Sequence, residues 1–155
     1  MTGFRRGVRL GVDVGQARVG VAKCDPDGLL ATPIETVTRD EHAVARVTAL
    51  AQEYSAFEIL VGLPLNLKGE DTASTTDART FAAAVAEASG VPVRLVDERL
   101  STVSAHAALR QSGRSQRSSR SIVDQVAAVV LLQQALDVEK STGRPAGTPI
   151  FQEPA

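Results

Sequence analysis

The chain has 155 residues, 43% hydrophobic and 23% charged, with a formal net charge of −1. Those are the proportions of an ordinary globular protein that can bury a real core, and any nucleic-acid binding must come from a local basic patch. A lone cysteine, Cys24, excludes an internal disulfide; no apolar stretch reaches the roughly 20 residues that cross a bilayer, and Arg9 and Asp13 interrupt any secretory apolar core. A cytoplasmic protein with no membrane partner is expected.

Three strand-like runs come first, at roughly 8–14, 18–24 and 29–36, separated by the turn signals GQA and DPDG. Connections this short predict an antiparallel meander. DEHAVARVTALAQEYS has helical spacing, with Val44, Val47, Leu50 and Ala51 on one face. FEILVG (57–62) suits a buried strand, and after the loop LPLNLKGED an Ala-rich helix spans about 72–89, closed by Gly90. VPVRLVD is a further buried strand, and STVSAHAALRQ a further helix capped by Ser101 or Thr102. Residues 112–120 read as a polar loop, and a last helix runs from about 121 to 139. The order βββαβαβαα predicts an α/β fold with a mixed five-stranded sheet flanked by helices. Residues 1–140 are expected to form one domain and 141–155 a flexible tail.

One residue in RLGVDVGQARVG is out of place for a strand. Val8, Leu10, Val12 and Val14 point to one side, which leaves Arg9, Gly11 and Asp13 on the other. An aspartate there is costly unless something meets it. Asp97 and Glu98 end the strand VRLVDE, and carboxyl ends of strands collect functional groups in open α/β sheets. They face opposite sides, so one of the two can meet Asp13. Asp124 lies in SIVDQVAAVVLLQQAL, and its helical face continues through Ala127, Ala128 and Leu131, small enough for close approach to a sheet. It also lies three residues after Ser121, where a capping role alone would account for it. Clustered carboxylates repel unless a cation neutralises them, and Mg²⁺ or Mn²⁺ fits oxygen ligands of this kind. Two such ions support phosphodiester hydrolysis. A salt bridge from Asp13 to Arg18 or Arg99 is the structural alternative.

The segments GVDVGQARVGVA, VGLPLNLKGE, LVDERLST and IVDQVAAVVLLQ resemble the four signature blocks of the YqgF-type (RuvX-like) family, over residues 7 to 137. The resemblance implies a ribonuclease-H-like fold and a nuclease, described first as a Holliday-junction-resolvase homologue and later tied to pre-16S rRNA processing in ribosome biogenesis. It places Asp13, Glu98 and Asp124 on the acidic triad that binds metal and catalyses, with Asp97 as an outer partner. Gln16 and Ala17 stand where the first block often carries Lys or Arg, and Ser104 where an acid is common.

Between residues 99 and 120 there are five arginines, Arg99, Arg110, Arg114, Arg117 and Arg120, and no acid. Such a segment beside a metal cluster suits phosphate-backbone binding, to which Arg18 and Lys68 would add. Asn66 is expected to fix its loop through side-chain-to-backbone bonds. Aromatics are 3% of the chain, which favours backbone and shape recognition of structured RNA over base stacking. A resolvase acting on four-way DNA would need a homodimer. A non-catalytic nucleic-acid-binding module is the further alternative. A sugar-kinase-like phosphotransferase is disfavoured by the absence of a second phosphate loop.

Overall fold

The computed structural model describes residues 3–98 and 116–150, with backbone alone for 116–124. Its elements are β1 (Arg9–Val14), β2 (Arg18–Cys24), β3 (Ala31–Thr38), α1 (Ala43–Glu53), β4 (Glu58–Leu63), α2 (Ala73–Ser89), β5 (Val93–Asp97), α3 (Gln116–Thr142) and β6 (Thr148–Pro149). They form one six-stranded sheet in the order β3-β2-β1-β4-β5-β6. The meander β1–β2–β3 is antiparallel, β1–β4 and β4–β5 are parallel, and β5–β6 is antiparallel. β1 and β4 are central, and all six residues of β4 are buried, which is why that strand reads as one continuous apolar run.

Side-chain alternation divides the core between the two faces. Leu10, Val12, Val19, Val61 and Leu95 pack under α1 and α2, against Val47, Leu50, Phe81 and Val85. On the opposite face Ala22, Cys24 and Leu60 pack under α3, against Ala128, Leu132 and Leu136. Burying each large aliphatic side chain contributes about 1.5–3 kcal/mol, so both helical layers are held chiefly by such contacts. α2 begins at a reciprocal cap, in which Thr72 and Thr75 each accept from the other's backbone N–H, and it ends at Gly90 in the left-handed region.

Two expectations are corrected. The sheet has six strands rather than five. The sixth comes from the segment expected to be a tail, where Arg94 donates to the carbonyls of Ala146 and Gly147, and the Ile150 N–H bonds the Val93 carbonyl at 2.9 Å. A two-residue strand anchored by a distant arginine leaves no periodicity to read. Second, the last helix begins at Gln116, not near 121, so residues 116–120 are helical rather than loop. Ser, Arg and Gln are tolerated in a helix that packing elsewhere secures. The expected helix at 101–111 lies outside the described residues.

A buried charge cluster fixes the far end of α3. Arg9, 1% exposed, donates to Glu139 at 2.9 Å and lies 3.9 Å from Glu58. Arg5 joins both acids, at 3.0 Å to Glu58 and 2.7 Å to Glu139. The Arg9 guanidinium is sandwiched between the Phe4 and Phe57 rings, 4.4 and 4.6 Å from their centroids. The C-terminal part of α3 is thereby tied to the amino end of β1.

Candidate active site

The register of α3 over β1 follows from three contacts. Glu139 meets Arg9 at the strand's amino end. At Gly11 a Cβ would come within 2.8 Å of both the Ala128 carbonyl and Leu132 Cβ, so only a residue without a side chain lets the helix lie this close. Gln125 donates at 2.8 Å to Thr36, which pairs with Gly20, which in turn pairs with Asp13. The helix thus runs antiparallel to β1. One turn before Ala128 the helix has risen about 6 Å, and two residues past Gly11 the strand has risen about 6.6 Å. Position 124 therefore comes level with Asp13, although the Asp124 side chain lies outside the described residues. Because α3 begins at Gln116, Asp124 is in its third turn and the capping explanation no longer applies.

Glu98 reaches the same place from β5. Its N–H bonds the Leu63 carbonyl at 3.1 Å, which directs the side chain across the carboxyl end of β4. There it lies over Gly62, where a Cβ would meet Glu98 Cγ and Oε1 at 2.8 Å. Burial, a hydrogen bond with Asp13 and the negative charges of Asp13 and Asp97 push the Glu98 carboxyl from 4.5 up to about 9. Without a counter-charge the Asp13–Glu98 pair therefore holds a proton at neutral pH. Asp97 ends β5 in register with Leu63; it is exposed and belongs to the opposite face, as strand alternation predicts.

A divalent cation fits this arrangement. Two oxygen-rich groups converge, and the proton they retain marks where positive charge would be favourable. Among the described residues no group of three His, Cys, Asp or Glu forms a metal cluster.

The remaining predicted residues lie around this centre or beyond the described part. Arg18 is half-buried at the start of β2, on Asp13's side of the sheet. Lys68 is exposed in the loop after β4. Asn66 Oδ1 accepts from the N–H groups of Lys68 and Glu70, both at 2.9 Å, so that side chain organises the loop. Arg117 and Arg120 are on the first turns of α3, with side chains outside the description; Arg99, Arg110 and Arg114 lie outside it altogether. Two contributors were not singled out from the sequence. Gly62 reads as the end of an apolar strand, and nothing local announces that Glu98 needs its space. Arg39 donates to the Gly15 carbonyl at 2.9 Å and to both Asp77 oxygens, bracing the turn that follows Asp13 from α2.

A mixed sheet with helices on both faces and a carboxyl pair at strand ends has the ribonuclease-H-like fold. "T. thermophilus RuvC in complex with Holliday junction substrate" superposes with a TM-score of 0.58 at 18% identity, covering 93% of this chain and 99% of that one. The family model RuvX, described as Holliday junction resolvase, matches residues 7–138. The chain belongs to that family. Proteins named "Putative pre-16S rRNA nuclease" are similar along almost their whole length. The one from Clavibacter michiganensis subsp. michiganensis is 56% identical, over 93% of this chain and 91% of its own. The one from Leifsonia xyli subsp. xyli is 55% identical, over 95% and 96%.

Proposed function

We propose that this chain is a divalent-metal-dependent nuclease that hydrolyses phosphodiester bonds in pre-16S rRNA, acting in the cytoplasm during ribosome biogenesis. The observation that carries the reading is the half-buried Asp13–Glu98 pair over Gly62, at the level where α3 brings position 124. Asp13, Glu98 and Asp124 would hold two ions, Mg²⁺ or Mn²⁺. When bound, such ions place positive charge at the scissile phosphate and lower the pKa of the attacking water. Asp13 and Glu98 would hold that positive charge beside the reacting phosphate. Arg18, Lys68 and the arginines from Arg99 to Arg120 neutralise flanking phosphates and hold the strand. Asp97 maintains negative potential behind Glu98.

A second reading, resolution of four-way DNA, is favoured by the structural likeness to RuvC with its junction substrate. It requires a homodimer with two symmetric sites. One experiment separates them: labelled pre-16S leader RNA and a synthetic four-way DNA junction are each incubated with Mn²⁺, Mg²⁺ or EDTA. Metal-dependent cutting of RNA alone is expected. Asp13→Asn removes an anionic ligand and should lower that rate about a hundredfold or more, since even outer partners of metal ligands cost 10–100-fold. Symmetric nicking of the junction alone would move the assignment to a resolvase. A variant cutting at the wild-type rate would remove Asp13 from the mechanism.

A further inference from the structure

The loop between β4 and α2 is a small hairpin. Leu65 bridges Asp71, the Asn66 N–H bonds the Glu70 carbonyl at 3.1 Å, and the Gly69 N–H bonds the Asn66 carbonyl at 2.9 Å. Gly69 has φ 78°, as the last residue of a three-residue hairpin tip does. Asn66 Oδ1 ties the tip from inside, and Arg79 holds Asp71 at 3.1 Å. Thr75 donates to the Pro64 carbonyl and anchors the base of the loop to α2. The side chains at the tip are those of Leu67 and Lys68. Leu67 is 97% exposed, well above Leu29 at 69% and Leu30 at 62%.

Single exposed apolar residues are common on protein surfaces and by themselves signify nothing. Leu67 differs in three respects. The residues on either side of it, Asn66 and Lys68, are hydrogen-bonded into the hairpin, which holds it away from the core. A cation, Lys68, stands beside it. The loop leaves the sheet at Leu63, the residue whose carbonyl accepts from Glu98, so four residues of chain keep the tip within about 14 Å of the carboxyl pair's strand end.

We propose that Leu67 is a wedge that packs against an unstacked nucleobase beside the phosphodiester to be cut, with Lys68 on the adjoining phosphate. Aliphatic side chains do this in nucleic-acid recognition, where separating one base step lets backbone reach a site it otherwise passes by. The inference rests on the nuclease reading above and narrows its substrate to helices that can open a base step at the cut, whether in an RNA stem or at a DNA branch point. It also explains how a chain with few aromatics engages bases at all.

The test places 2-aminopurine at successive positions around the cut in a leader-derived RNA stem, and at the branch point of a four-way DNA. Fluorescence on binding is read in EDTA and cutting is read in Mn²⁺. Wild type should raise fluorescence at one position. Leu67→Ala should abolish that rise and slow cutting about tenfold or more, with the salt slope of binding and the Tm unchanged because no charge or buried contact is removed. Leu67→Met should restore both signals, and Lys68→Ala should flatten the salt slope but keep the fluorescence rise. A rise on one substrate only identifies the source of the base. If Leu67→Ala matches wild type in fluorescence and rate, the wedge is overturned while the nuclease reading stands. If wild type neither binds nor cuts, that reading falls and the wedge falls with it.

Discussion

A carboxyl group laid over a bare glycine and against a second carboxyl destabilises the fold whenever it must ionise. Unfolded, Glu98 titrates near 4.5; folded and metal-free, it titrates near 9. Between those values the folded chain holds a proton that the unfolded chain releases, so folding weakens as pH rises from about 5 to 9 and levels off above. Thermal unfolding in EDTA across that range should show a falling Tm. Glu98→Gln should flatten the fall, and saturating Mn²⁺ should reverse it in wild type only. A flat wild-type profile would mean that the two carboxyls do not share one partly buried site.

At the scale of elements, α3 is placed by its middle and its carboxyl end acting on β1. Removing a partner from a buried ion pair strands the other charge, so Glu139→Ala should cost about 3–5 kcal/mol in urea unfolding. The same helix depends on Gly11, where an added methyl meets the backbone carbonyl of Ala128. Gly11→Ala should therefore cost about 1–3 kcal/mol and shift α3 off the sheet. Gly62→Ala makes a close contact of the same 2.8 Å, but with the Glu98 side chain, which can swing away. That variant should remain folded and lose metal-dependent cutting. Equal stability losses in the two glycine variants would show that Glu98 is packed as rigidly as the helix backbone.

For the molecule as a whole, net charge is −1, so attraction to nucleic acid must be concentrated where the arginines cluster. Arg114→Ala with Arg117→Ala should weaken binding evenly across sequences and reduce the salt slope by about 2, roughly one unit per lost phosphate contact. An unchanged slope would take that segment out of the interface. Among the described residues no helix is long and apolar enough to cross a membrane.

Period and turn chemistry alone determine most of the sheet: the meander, the buried β4, the start of α2 at Thr72 and its end at Gly90 are all local signals. The parity of β5 likewise sets Asp97 and Glu98 on opposite faces, and the four motif blocks point to the family. What only the tertiary structure decides is which distant groups share space. Gly62 looks like any strand residue until Glu98 lies on it. Asp124 looks like a cap until α3 proves to begin two turns earlier, and Arg9 looks like a misplaced surface charge until Glu58 and Glu139 enclose it. β6 exists because Arg94 and the Val93 carbonyl capture residues with no strand pattern of their own. Local propensity acts over a few residues of chain. The carboxyl pair depends on contact between segments some 85 residues apart, and that distance closes through the pairing of β1 with β4 and of β4 with β5.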